Sequence, residues 1–70
     1  MTHFIEFITI QDIAVVINVA AITAIIPYRS GSQIFLTDDS YRVKQTPEQV
    51  KEGIGLVTGT AVHHFQPNED

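Results

Sequence analysis

The chain is 70 residues long, has no cysteine, and carries a formal net charge of −4 from four Lys and Arg and eight Asp and Glu residues. This length allows one domain, and without cysteine these residues form neither a disulfide framework nor a thiolate metal site. The acidic balance argues against nucleic-acid binding, which depends mainly on neutralisation of phosphates by Lys and Arg.

The first half of the chain is dominated by the segment 13–26, IAVVINVAAITAII, which is apolar except at Asn18 and Thr23. Its many β-branched residues favour buried strands over a helix. We therefore predict a strand over 3–10, a turn at Gln11-Asp12, a strand over 13–17, a short helical turn over 19–21 capped by Asn18, and a strand over 22–28.

The same segment does not predict a membrane span. Its fourteen residues fall short of the roughly 20 needed to cross the hydrocarbon of a bilayer. The residues before it, 1–12, contain no Lys or Arg and so do not resemble a signal peptide. We expect a cytoplasmic protein.

The second half of the chain predicts two more strands and one helix. The strands are expected over 33–37 and 41–45, with turns at 29–32 and 38–40. Thr46, Pro47 and Gln49 form the pattern of a capped helix start, and Val50, Ile54 and Val57 then give one apolar stripe. Because two glycines weaken this helix, we expect it to fray from Gly55, with Gly59 as its latest end.

These elements predict an α+β fold, a small antiparallel sheet of about five strands with one C-terminal helix. The domain spans 1–59, and 60–70 form a partly ordered tail. His63 and His64 lie in that tail, and neighbouring residues of a strand point to opposite faces. Together with His3 we interpret them as surface histidines, and we expect no metal site and no cofactor.

The order of elements is also that of a known family. The segment ITIQDIAVVINVAAITAIIP, followed by SQIFLTDDSYRVKQTPEQVKEGI, resembles the short flagellar-operon proteins of the FlbD-like family. The shared features are a strand ending in Asn, a small turn leading into Ile-x-x-Ile, a hairpin, Tyr-x-Val and a helix. The resemblance implies a small, non-enzymatic β-rich module without catalytic residues. A more distant likeness to LytTR-type DNA-binding domains is opposed by the acidic charge.

The apolar residues exceed what one helix can cover. In a single sheet the helix protects one face, and the other face would carry a further set of apolar residues. These are Phe4, Phe7, Val16, Ile25 and Phe35. Such a face is typical of an interface, so we expect a homo-oligomer. The alternative is that the sheet curls into a small barrel and buries both sets itself.

Charged residues supply one further candidate site. Arg29, Arg42 and Lys44 are predicted to gather on one side and hold a phosphate or an acidic peptide. Asp38-Asp39 lies where a hairpin needs turn residues, and no base or nucleophile accompanies it, so we interpret it as a turn.

Two functional hypotheses follow. The first is a non-enzymatic, regulatory protein-binding module that self-associates through apolar sheet surfaces. The second is a small inhibitory or ligand-sequestering oligomer, of the kind phages encode, that binds a nucleotide or another phosphate between subunits.

Overall fold

The computed structural model describes residues 3–60, and within this range the chain forms strands and one α-helix. The elements are β1 (Phe4–Ile8), β2 (Ala14–Asn18), a 3-10 turn (Val19–Ala21), β3 (Ile22–Tyr28), β4 (Gly31–Leu36), β5 (Ser40–Val43) and α1 (Pro47–Thr58). The predicted α+β class is confirmed. The third strand has its predicted bounds, whereas the fourth begins earlier and the fifth ends earlier than predicted.

The strands form two antiparallel sheets, so the prediction of one five-stranded sheet is wrong. β1 pairs with β2, and β4 lies between β3 and β5. The division falls at Asn18, whose side-chain oxygen accepts a hydrogen bond from the Ala20 N–H at 3.0 Å. This contact closes the 3-10 turn that ends β2, as the sequence predicted. After the turn, β3 pairs with β4, the next strand in the chain, and not with β2.

The two sheets are joined where β1 and β5 end. The Lys44 N–H donates to the Ile8 carbonyl at 2.8 Å, and the Ile10 N–H donates to the Arg42 carbonyl at 3.0 Å. These bonds flank an antiparallel bridge between Thr9 and Val43. The first turn of the chain therefore lies beside the end of the fifth strand.

A single core lies between the two sheets and the helix. Its buried residues come from all three parts, namely Phe7, Ile17, Ile34, Val43 and Val50. The second sheet thus covers the inner face of the first. From the sequence we expected a partner subunit to provide this cover, with closure of the sheet within one chain as the alternative. Because the second sheet provides it, Phe7, only 3% exposed, and Ile25, packed against the core, do not lie on the solvent-facing surface predicted for them.

The turn between β1 and β2 spans three residues, one more than predicted. The Thr9 N–H donates to the Ile13 carbonyl at 2.8 Å, which leaves Ile10, Gln11 and Asp12 as the turn. Asp12 has a φ of 66°, the left-handed conformation that closes three-residue hairpin loops. Asp tolerates this conformation better than most residues.

The start of α1 is as predicted, and the helix ends at Gly59, the latest end predicted for it. Thr46 Oγ1 accepts from the Gln49 N–H at 3.2 Å, and Gln49 Oε1 accepts from the Thr46 N–H at 2.9 Å, which confirms the capping box. The expected fraying from Gly55 is wrong, because the helix continues to Thr58. Gly59 ends it with a φ of 71° and donates its N–H to the Gly55 carbonyl.

The helix packs against β1 and β3. Val50 is fully buried and Ile54 packs against the core, while Val57, predicted for the same stripe, lies at its exposed margin. The predicted tail, with His63 and His64, lies almost entirely outside the described residues.

Candidate functional site

A tight turn between β3 and β4 positions the first part of the site. Tyr28 pairs with Gly31, so only Arg29 and Ser30 connect the two strands. Arg29 has a φ of 54°, a left-handed conformation that is uncommon for a residue with a side chain. Positive φ at this position matches the right-handed twist of the paired strands. The hairpin tip therefore carries a cationic side chain.

The strand register brings two further cations to the same face. Ile26 pairs with Gln33, which in turn pairs with Arg42, so these three side chains share a face of the second sheet. Residues two positions apart in a strand point the same way. Tyr28 therefore lies on the face of Ile26, and Lys44 continues the face of Arg42. This face is directed away from the core.

Tyr28 lies at the centre of the cluster. The guanidinium carbon of Arg42 is 4.4 Å from the centroid of the Tyr28 ring, and that of Arg29 is 5.4 Å away. Both distances are within the range of a cation–π interaction. Beside the ring is a depression of about 590 Å³, which we call the cationic groove. It is lined by Ile10, Tyr28, Arg29, Ser30, Gly31, Val43 and Lys44.

Gly31 forms part of the groove floor because the backbone of β5 approaches it closely. A Cβ atom added at Gly31 would lie 2.1 Å from the Val43 carbonyl oxygen and 3.1 Å from the Lys44 Cα. Only a residue without a side chain fits there. Lys44 is consequently held close to the hairpin tip.

The turn between β1 and β2 closes another side of the groove. Ile10 contributes an exposed apolar side chain, and the carboxylate of Asp12 forms an ion pair with the Lys44 ammonium group. Both members of the pair are exposed to solvent, so its contribution to folding is small. Its main consequence is to balance one of the three positive charges.

The positive charges of the cluster affect the ionisation of the Tyr28 phenol. The pKa of Tyr28 is lowered, chiefly by hydrogen bonding with the Arg29 side chain and further by the positive charges of Arg29 and Arg42. Partial desolvation acts in the opposite direction. The local potential around the ring is therefore positive, although the chain as a whole is acidic.

A second, smaller depression of about 300 Å³ adjoins the groove at Ile10. Arg42 borders it, and most of its other lining side chains are polar, namely Thr9, Gln11, Gln33, Ser40 and Tyr41. The Gln33 amide donates to the Ser40 hydroxyl at 3.3 Å. The two depressions thus offer a cationic region and a hydrogen-bonding region side by side.

Of the three predicted ligand-binding cations, Arg29 and Arg42 lie over the Tyr28 ring, and Lys44 lines the groove with Arg29 while Arg42 lines the adjoining depression. We did not predict from the sequence that Tyr28 and Ile10 would line the site. The available signal was the adjacent pair Tyr28-Arg29 at a hairpin tip, but the register that brings Arg42 to the ring is not readable from one strand alone.

The predicted interface residues are divided among different surfaces. Phe4 and Val16 are 58% and 61% exposed on the outer face of the first sheet. Phe35 is half-buried on the outer face of the second sheet, across from Ser40. The Asp38-Asp39 pair lies in the turn before β5, and Asp39 accepts a hydrogen bond from the Ser40 N–H at 2.7 Å, as turn residues do.

Comparisons with models of protein families, with curated proteins and with solved structures found no match to this chain. The likeness to FlbD-like proteins therefore stays a prediction. Over residues 3–60, no helix is long and apolar enough to cross a bilayer. Within the same range, no three His, Asp or Glu side chains converge in a way that would hold a metal ion.

Proposed function

We propose that this chain is a non-enzymatic binding module whose cationic groove takes up an anionic group of a ligand or of a protein partner. The observation that carries the proposal is that Arg29 and Arg42 lie over the Tyr28 ring and Lys44 lines the groove beside it, in a chain that has only four Lys and Arg residues. Like charges repel, and exposed cations add little to folding stability. The contacts of the arginines with Tyr28 and the ion pair of Lys44 with Asp12 offset part of this repulsion, and a bound anion would offset the rest.

The chemistry of the groove suits binding better than catalysis. Arginine presents planar donors that match the oxygens of a phosphate or a carboxylate, and the lysine adds a point charge. Among the described residues that line the groove, none is a histidine or a cysteine. The nearby carboxylate of Asp12 is paired with Lys44 and so is not placed as a general base.

Titration with inorganic pyrophosphate, followed by amide chemical shifts, tests the proposal. We expect saturable shifts at residues around Tyr28 and Lys44, and we expect them to be lost in the variant with both Arg29→Gln and Arg42→Gln. Lys51→Gln is the matched control, because it removes a cation from α1, where Lys51 pairs with Glu48 at 2.8 Å. No saturable shifts, or an equal loss with Lys51→Gln, would contradict an anion site in the groove.

A second candidate function is self-association through the outer face of the first sheet. Phe4 and Val16 share this face, and each exposes more than half of its surface. In the register of the two strands Phe4 lies opposite Asn18 and Val16 opposite Glu6, and exposed apolar side chains of this size are typical of interface anchors. On this proposal the chain is a homo-oligomer that uses an apolar face, while the groove stays open for another partner.

Sedimentation velocity at micromolar concentration tests self-association. We expect an oligomer that dissociates on Phe4→Asp or Val16→Asp, with the secondary structure retained because both positions are exposed. Leu56→Asp on α1 is the control, since Leu56 is 79% exposed on a different element. A monomeric wild type, or equal dissociation with Leu56→Asp, rules out this face.

A further inference from the structure

The cationic groove and its neighbour have the dimensions of a small-molecule site. Ligand pockets in proteins measure roughly 300–1,000 Å³, and the groove has about 590 Å³. A bare inorganic anion occupies only a small part of such a volume. Its ligand therefore combines an anionic group with a larger, less polar body that contacts Ile10 and the Tyr28 ring.

The charge of the site selects among anions. Arg29 and Lys44 line the groove and Arg42 lines the adjoining depression, and the ion pair with Asp12 offsets one of these three positive charges. A phosphate monoester carries a charge of about −1.5 to −2 near pH 7, which balances the remainder, whereas a single carboxylate does not. A long polyanion is disfavoured, because the chain outside the groove is acidic.

The side chains beside the anion-binding groups indicate which larger group the ligand carries. The Arg42 guanidinium lies 4.4 Å from the Tyr28 centroid, so a planar cation and an aromatic ring already form a layer. Guanidinium planes and aromatic rings are the groups on which nucleobases stack. Beyond Ile10, Gln11, Gln33 and Ser40 offer donors and acceptors for the edge of a base.

We propose that the groove binds a nucleoside monophosphate, with the phosphate between Arg29 and Lys44 and the base against the layer of Tyr28, Arg42 and Ile10. This inference rests on the proposed anion-binding function and names its ligand class. It assigns the second depression a role in reading the edge of the base.

Calorimetric titration with defined compounds separates the alternatives. The compounds are AMP, GMP, CMP and UMP, together with adenosine, ribose 5-phosphate, inorganic phosphate and pyrophosphate, an acidic peptide, and a single-stranded oligonucleotide. We expect at least one monophosphate to bind about tenfold or more tightly than both ribose 5-phosphate and adenosine, since each of those lacks one half of the recognised group. Equal affinity for ribose 5-phosphate and the nucleotides overturns the nucleotide assignment but leaves an anion site standing.

The remaining outcomes are equally decisive. If the acidic peptide or the oligonucleotide binds more tightly than every monophosphate, the groove serves a macromolecule and the inference is wrong. If neither pyrophosphate nor any other anion binds, the proposed function fails together with it.

Two substitutions test whether the base stacks on the layer of Tyr28, Arg42 and Ile10. Arg42→Lys retains the positive charge, and Tyr28→Phe retains the aromatic ring. Because Arg42→Lys loses the planar guanidinium, we expect it to reduce nucleotide affinity at least about fivefold more than it reduces pyrophosphate affinity. Tyr28→Phe keeps the ring and should retain the preference for the nucleotide. An unchanged preference in Arg42→Lys overturns the stacking geometry and the base assignment with it.

Discussion

The two sheets contribute to one core but present different chemistry to solvent. The inner faces are alike, since Phe7 and Ile17 of the first sheet meet Ile34 and Val43 of the second. The outer face of the first sheet exposes Phe4 and Val16, whereas the outer face of the second carries the cations around Tyr28. Core burial thus accounts for Phe7 and Ile17 but not for Phe4 and Val16 of the same two strands.

The largest expected effect is a difference in unfolding free energy between substitutions at Ile17 and Val16, neighbouring residues on opposite faces of β2. Ile17→Ala should lower the free energy of unfolding by about 2–5 kcal/mol, because the side chain is almost fully buried and leaves a cavity. Val16→Ala should change it by about 0.5 kcal/mol or less, since Val16 is mainly exposed. Urea unfolding at low protein concentration measures both. Similar losses at the two positions would mean that the outer face is buried as well.

The next effect concerns the second sheet and the floor of the groove. Gly31→Ala should destabilise the fold by about 1–3 kcal/mol or more, because the added Cβ overlaps the Val43 carbonyl and pushes β4 from β5. Ser30→Ala, in the same turn but exposed, is the control and should lie within about 0.5 kcal/mol of the wild type. Thermal unfolding of the two variants gives the comparison. Equal midpoints would show that the two strands are not packed so closely.

Features set by local chemistry were predictable from the sequence. Asn18 and Thr46 act through hydrogen bonds to residues two and three positions away, and both caps are present as predicted. β3 has its predicted bounds because a turn precedes it and a hairpin follows it. The stop of α1 at Gly59 was within the prediction, but the fraying from Gly55 was wrong. The cost of Gly53 and Gly55 had to be weighed against packing that the helix pattern alone does not show.

Features set by distant contacts were not predictable in the same way. An apolar run such as 13–26 shows that both faces of its strands need cover, but not whether a second sheet or a second subunit provides it. The groove was predicted only as a group of three cations. That Arg29 and Arg42 meet at Tyr28, with Lys44 beside them, depends on the register of three strands and on the close approach at Gly31.

A smaller effect tests how α1 covers the first sheet. A Cβ added at Gly53 would lie 3.6 Å from Ile5 Cδ1, an ordinary contact distance. Gly53→Ala should therefore stabilise the protein by up to about 1 kcal/mol, through the higher helix propensity of alanine. Gly59→Ala is the matched control and should destabilise it, because φ at Gly59 is 71°. A loss of stability in Gly53→Ala would show that the helix lies closer to β1 than the contact distance indicates.

The smallest effect tests the charge on the outer face of the second sheet. The chain has two tyrosines, so Tyr41→Phe leaves Tyr28 as the only phenol, and its ionisation can be followed by ultraviolet absorbance. In this background Arg29→Gln should raise the pKa of Tyr28 toward its ordinary value of about 10, because the main stabilising partner of the phenolate is lost.

The sign of the linked effect on stability follows from the direction of that shift. Since the pKa of Tyr28 is lower in the folded chain than in the unfolded chain, ionisation favours folding above about pH 10, and this contribution is lost as the pH falls through the lowered pKa. Stability at neutral pH should therefore not respond to it. Lys51→Gln, which removes a cation from α1, should leave the titration unchanged. If Arg29→Gln also leaves it unchanged, the guanidinium does not act on the ring, and the two outer faces differ less than the structure indicates.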